Sequence, residues 1–192
     1  MGNLRSLGRA LERAGAQVTV AADPQAILHS ERLVIPGQGA FQQAMAHLLE
    51  RDLLVALRER VAGPRPLLGV CLGLQLFYQG SEEAPGVPGF GLLSGQVELL
   101  PVGPELKRPH MGWSPVEHRS DHPVLAANPS GEAFYFVHSY AAHQADGWEV
   151  ARADHGGPFV AAIAQGLRVA TQFHPEKSQD AGERLLAAWL AL

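Results

Sequence analysis

The chain is poor in cysteine, in positive charge and in long apolar runs. Of its 192 residues only Cys71 is a cysteine. One thiol cannot close an internal disulfide, so a stapled secreted scaffold is excluded and a reducing compartment fits. Lys and Arg number 15 against 19 Asp and Glu, giving a net charge of −4. That balance offers no electrostatic footprint for nucleic acid. No apolar run reaches the length of a membrane span. Near the start, Arg5, Arg9, Glu12 and Arg13 interrupt any signal-peptide pattern. No internal repeat, low-complexity tract or linker divides the sequence. What remains is 46% hydrophobic and 18% charged, the composition of a globular protein. The expectation is one cytoplasmic domain over residues 1–192 with a sizeable core.

The stretch 66–77 organises the rest. It opens as an apolar run short enough for a buried strand and continues as an apolar stretch compatible with a helix. Between them stands Gly69-x-Cys71-x-Gly73. A sharp strand-to-helix turn needs small neighbours, because side chains at Gly69 or Gly73 would meet facing backbone. This is the pattern of a nucleophile elbow, with sulfur in place of a serine oxygen. It sets Cys71 at a helix N-terminus, where the dipole favours thiolate. A buried structural thiol is the competing reading of a lone cysteine. The flanking glycines favour the nucleophile.

Along the chain, apolar spacing predicts a helix over 3–14 with Asn3 as N-cap, ended by Gly15. Residues 17–21 alternate like a short strand. A second strand is expected at 32–35, broken by Pro36-Gly37-Gln38-Gly39, followed by helices over 41–50 and 52–61. This β-α-β-α order predicts an α/β fold with a mostly parallel central sheet flanked by helices. In such a sheet a strand precedes the first helix. It is absent here, and its absence is expected to expose edges and weaken folding. Residues 80–91, rich in Gly and Pro, read as a surface loop. Strand-like runs at 92–100, 134–137, 148–153, 159–164 and 168–173 lie too close together for crossover helices. They predict an additional antiparallel region. A helix over 179–192 closes the chain.

A thiolate nucleophile needs a base that later protonates the leaving group. Of nine histidines, His174 is best placed, following a strand in Gln172-Phe173-His174-Pro175-Glu176-Lys177. Pro175 biases His174 toward extended backbone. Side chains two apart in an extended segment share a side, so Glu176 can orient the His174 ring. The order Cys71, His174, Glu176 then supplies nucleophile, base and orienting acid. Alone, a His beside an acid is more often a surface pair of little energy. The Gly37–Gly39 loop can turn backbone N–H groups toward a ligand, and the N–H of Leu72 is the natural second oxyanion donor. His118 and His122 lack the Glu of a metal-hydrolase pattern, and no metal site is expected. His29, His47, His143 and His155 read as surface residues. His110 and His138 lie in richer surroundings that could line a pocket or a partner surface. Trp113 and Tyr140 suit core and interface equally.

With these motifs in order, the chain resembles the class I (triad) glutamine amidotransferases. More narrowly, four stretches are similar to the glutaminase subunits of imidazole glycerol phosphate synthase. They are Gly2-Asn3-Leu4-Arg5-Ser6, Pro36-Gly37-Gln38-Gly39-Ala40-Phe41, His110-Met111-Gly112-Trp113 and Phe134-Tyr135-Phe136-Val137-His138-Ser139-Tyr140. The resemblance implies glutamine hydrolysis at Cys71, His174 and Glu176 through a glutamyl thioester, in histidine biosynthesis. It implies an oxyanion strand of Gly37, Gln38 and Gly39, and substrate contacts from Gln75, Ser139 and Tyr140. It also implies a partner, a cyclase subunit with a (β/α)8 barrel that receives the ammonia, faced by Asn3, Trp113 and Lys177. No cofactor is implied. Ser114 departs from the pattern, since Asn is common after Gly-Trp, and should weaken a polar contact at the interface. A glutaminase serving another synthase, or a redox sensor built on the same elbow, is the alternative; the Met111-Gly112-Trp113 stretch and the complete His174-Pro175-Glu176 segment argue against them.

Overall fold

The strands nearest the elbow pair in parallel. In the computed structural model, which describes residues 2–192 except 102, 104 and 105 and the side chains of residues 2 and 3, β1 (Leu33–Ile35) lies beside β2 (Leu67–Val70). On its other side β2 pairs in parallel with β10 (Arg168–Thr171). The sheet continues antiparallel through β9 (Pro158–Gln165), β8 (Glu149–Asp154), β5 (His110–His118) and β6 (Glu132–His138). A smaller sheet joins β3 (Tyr78–Ser81), β4 (Leu93–Leu99) and β7 (Tyr140–Ala141). The fold is α/β with a parallel core and an antiparallel extension, as expected. Its balance is less parallel than expected, because hairpins and other antiparallel pairings carry the second half of the chain.

β2 is buried on both faces, and its alternation joins the two cores. Leu68 and Val70 pack with Leu7 and Leu11 of α1 (Gly2–Arg13) and with Leu185, Leu186 and Trp189 of α6 (Gln179–Leu190). Leu67 packs on the opposite face with Ile27 of α2 (Pro24–His29), Phe41 and Met45 of α3 (Phe41–Glu50), and Leu57 of α4 (Leu54–Ala62). A strand covered twice needs apolar side chains at every position, which is why its sequence runs rather than alternates.

Two expectations change, and two elements appear that were not expected. α1 already includes Asn3, so Asn3 does not cap it. Residues 17–21 form no strand: β1 ends the strand order, no ladder partner lies beyond it among the described residues, and Val20 is left 71% exposed. β5 was hidden by Gly112 and Pro115, yet it pairs with β6 from His110↔His138 to Val116↔Glu132. A helix not anticipated, α2, carries its own signal: Asp23 accepts from the Ala26 N–H at 2.9 Å and Pro24 occupies the first turn.

Candidate active site

Cys71 stands where β2 turns into α5 (Leu72–Gln75), with φ 53° and ψ −108°. A non-glycine residue in that region is strained, and such strain persists only where the surroundings enforce it. Here the Cys71 N–H donates to the Thr171 carbonyl at 2.6 Å, and the Cys71 carbonyl accepts from the N–H groups of Leu74 and Gln75. The flanking glycines permit the turn. A Cβ on Gly73 would lie 2.1 Å from the Ile35 carbonyl oxygen, and one on Gly69 would lie 2.9 Å from that of Gly73. α5 is a single turn rather than a long helix, so its macrodipole is small. The hydrogen-bonding groups at the sulfur are instead His174 and the Gln172 amide.

His174 follows β10, is 1% exposed, and its Nδ1–H donates to Glu176 Oε1 at 2.8 Å. The reason differs from the expected one. Only His174 is extended; Pro175–Lys177 is a 3-10 turn that folds Glu176 back onto the ring. The Ser178 hydroxyl fixes this turn by donating to the His174 carbonyl at 2.7 Å and accepting from the Tyr135 N–H at 3.0 Å. His174 is also hydrogen-bonded to Cys71. Burial opposes its charge, but the hydrogen bonds to Cys71 and Glu176 and the charges of both push the imidazole up to about 9. An imidazolium beside the sulfur is therefore the favoured state at neutral pH.

The remaining predicted residues are distributed as follows. Gly37 is buried against the elbow, where a Cβ would lie 2.4 Å from the Leu72 nitrogen; Gln38 and Gly39 are exposed, Gly39 at φ 96°. Gln75 is 5% exposed, and its Nε2 donates to the Tyr140 carbonyl at 3.0 Å and to Gln172 Oε1 at 3.1 Å. Ser139 and Tyr140 are half-buried at the end of β6 and in β7. Trp113 is 47% exposed, which makes it a surface residue; its ring meets Tyr135 edge-on at 6.0 Å, and Lys177 Nζ sits 5.6 Å from the Tyr135 centroid. The side chain of Asn3 lies outside the described residues. His118 and His122 each place Nε2 on a backbone carbonyl, those of Asn128 and Gly166.

Sequence reasoning missed Gln172 and Tyr135, and it singled out His110 and His138 without their pairing. Gln172 was within reach, because the two-residue alternation applied to Glu176 also relates Gln172 to His174. The histidine pair depended on β5–β6 register. His110 Nδ1 and His138 Nε2 are 3.1 Å apart, and Ser114 Oγ lies 2.8 Å from His110 Nε2. Ser114 thus turns toward a buried imidazole, not toward an external surface as expected. Burial pushes His110 down to about 4 and His138 down to about 3, with the half-buried His155 stacked on His110 adding repulsion.

These two histidines set an acid-side stability loss. Their folded values lie below the ordinary 6.5, so below that pH the unfolded chain binds protons the folded chain refuses. Their contribution is complete above about 6.5 and is lost as pH falls toward 4. Urea unfolding should show a loss on the order of 3 kcal/mol across that window. A His110→Gln, His138→Gln double variant should lose most of that slope. His174 acts oppositely: with its folded value raised to about 9, its contribution is full below 6.5 and fades as pH rises through 9.

Residues 1–191 match the family model described as glutamine amidotransferase class-I. The chain belongs to the class I glutamine amidotransferases. Among its relatives is the imidazole glycerol phosphate synthase subunit HisH of Methylococcus capsulatus, 50% identical, with 99% of this chain and 92% of that protein covered. The subunit of the same name from Deinococcus radiodurans is 45% identical over 97% of this chain and 87% of its own. That of Vibrio parahaemolyticus is 40% identical, covering 99% and 93%. A crystal structure of a glutamine amidotransferase superposes with a TM-score of 0.76 at 23% identity, covering 99% of this chain and 93% of that one. At that identity the likeness speaks to the amidotransferase fold alone. Among the described residues of this amidotransferase, no helix is long and apolar enough to cross a membrane.

Proposed function

We infer that this amidotransferase, read as one domain, is the glutaminase subunit of an imidazole glycerol phosphate synthase, working in histidine biosynthesis in the cytoplasm. The observation that carries the site assignment is the Cys71 elbow hydrogen-bonded to His174, whose other nitrogen is held by Glu176 at 2.8 Å. The Cys71 thiolate attacks the side-chain amide carbon of glutamine. N–H groups of Leu72 and of the Gly37, Gln38 and Gly39 loop take the oxyanion. The His174 imidazolium protonates the departing nitrogen, releasing ammonia and leaving a glutamyl thioester. His174, now neutral, takes a proton from water; hydroxide attacks the thioester, and thiolate and glutamate separate. Glu176 keeps the imidazole in the required tautomer throughout.

Gln75, Ser139 and Tyr140 hold the amino-acid end of glutamine. Both amide hydrogens of Gln75 are already engaged, so its Oε1 is the atom left to accept from the substrate ammonium. The protein works as a subunit of a complex. Its partner is a cyclase with a (β/α)8 barrel that receives the ammonia through a channel and makes imidazole glycerol phosphate and an aminoimidazole carboxamide ribotide. The exposed Trp113 and Lys177, bridged by Tyr135, supply an aromatic and cationic surface for that contact, and Asn3 in α1 is a further expected contact.

The test is glutamate release from glutamine, with and without the cyclase subunit and its ribulosyl nucleotide substrate. Strong stimulation by the loaded partner is expected. Turnover indifferent to that partner would reassign the glutaminase to another synthase.

A further inference from the structure

Gln172 is a buried amide that the mechanism above does not use. It is 0% exposed at the end of β10, and its Nε2 lies 3.6 Å from Cys71 Sγ. Its orientation follows from the donors and acceptors around it. The Tyr140 carbonyl can only accept, so Gln75 must turn Nε2 toward it. The second Gln75 hydrogen then points at Gln172, which must answer with Oε1. The Gln172 amide nitrogen is left facing the sulfur.

The same logic anchors the far end. The Tyr140 carbonyl also accepts from His138 Nδ1–H at 2.9 Å. His138 and His110 are both held neutral by burial, so each has one hydrogen to give. His138 Nε2 therefore accepts from His110 Nδ1–H, and His110 Nε2 accepts from the Ser114 hydroxyl. Every link from Ser114 to Cys71 has a fixed direction. The backbone of Gln172 is fixed too, its N–H donating to the Ala161 carbonyl at 2.8 Å.

We propose that Gln172 is a catalytic residue: it donates an N–H to the Cys71 sulfur, favours the thiolate, and aims it at the substrate carbonyl. An amide donor is neutral and cannot accept the sulfur's proton, so it leaves His174 as the sole proton partner. It acts twice, before attack and again when thiolate leaves the thioester. This rests on the reading of Cys71 as nucleophile.

The test uses the full chain with Gln172→Met, which keeps length and loses the donor, and Gln172→Glu, which turns an acceptor on the sulfur. Thermal melts establish folding. The readouts are the pH profile of Cys71 alkylation by iodoacetamide, thiolate absorbance near 240 nm, and glutamate release. Gln172→Met should slow alkylation at pH 7 about tenfold, move its midpoint to higher pH, and lower kcat about tenfold to a hundredfold with KM nearly unchanged. Gln172→Glu should do more. If Gln172→Met fails to fold, the alkylation profile of Gln172→Glu decides. An unshifted profile in a folded variant overturns the proposal. A Cys71→Ala chain that still releases glutamate overturns the underlying reading instead, so the two failures are distinguishable.

Discussion

Cys71→Ala should remove glutamate release altogether, a loss of at least about 10⁴-fold, while ammonia-supplied synthesis by the proposed cyclase partner should continue. The chain has no second cysteine to substitute for the lost nucleophile. The substitution is mild structurally. Cys71 is 8% exposed and sits at φ 53°, a conformation enforced by the Thr171 carbonyl and by the glycine approaches around it, none of which involves sulfur. Alanine inherits the same backbone strain and leaves only a small space. Unfolding should therefore shift by no more than about 1 kcal/mol. Measuring glutamate release, ammonia-dependent turnover and the melt on one preparation separates chemistry from folding. Residual glutaminase activity would remove Cys71 from the nucleophile role. Loss of the ammonia-dependent reaction with an unchanged melt would point to damaged partner contact.

The consequence reaches beyond one atom. The elbow is held by backbone approaches that admit no Cβ: Gly37 against Leu72, Gly73 against Ile35, and Gly182 of α6, whose Cβ would lie 1.8 Å from the Pro175 carbonyl oxygen. The first two fix the loop and Cys71 relative to each other. The third presses α6 on the turn that carries Glu176. Parts contributed by residues 37, 71, 174 and 176 are thus positioned by steric contact as well as by the hydrogen bonds of Thr171, Glu176 and Ser178, and rigid backbone holds a site more accurately than loops do.

Local signals were legible and long-range ones were not. α3 lies over 41–50, where helical spacing placed it, and β4, β6, β8, β9 and β10 fall within two residues of the expected strands. The elbow and His174 were visible because their chemistry is compressed into a few neighbouring residues. The 17–21 segment failed as a strand because alternation states a preference, whereas a ladder partner decides the outcome. β5 was masked by Gly112 and Pro115, residues that weaken strand propensity but are tolerated here because at those positions β5 pairs with β6 alone, β8 joining it only at Glu117 and His118. The link between His110 and His138, and that between Gln75 and Gln172, join residues far apart in sequence. Only register brings them together, and register is a property of the assembled sheet.

Glu176→Gln should lower kcat/KM for glutamine by about 10²- to 10⁴-fold and move the pH dependence to lower pH. The Glu176 side chain is fully buried and accepts from His174 Nδ1–H at 2.8 Å. Its charge is one of the causes that push the imidazole up to about 9. Glutamine keeps the shape but removes the charge, so the imidazolium loses its stabiliser and the folded value falls toward the ordinary 6.5. The variant would then hold less of the imidazolium needed to protonate departing ammonia at pH 8, and its alkaline limb should begin earlier. A second effect adds to this. If the amide presents its NH₂ to Nδ1, the ring must carry its proton on Nε2, the wrong tautomer for a base toward the sulfur. The melt should fall as well, because the stability that the raised His174 value contributes goes with the Glu176 charge; no bond to Glu176 Oε2 is lost, since it lacks a hydrogen-bond partner among the described residues. The pH–rate profile and the melt, taken together, check the argument. A profile with the wild-type alkaline limb and activity within about threefold of wild type would show that Glu176 holds the turn but does not tune His174.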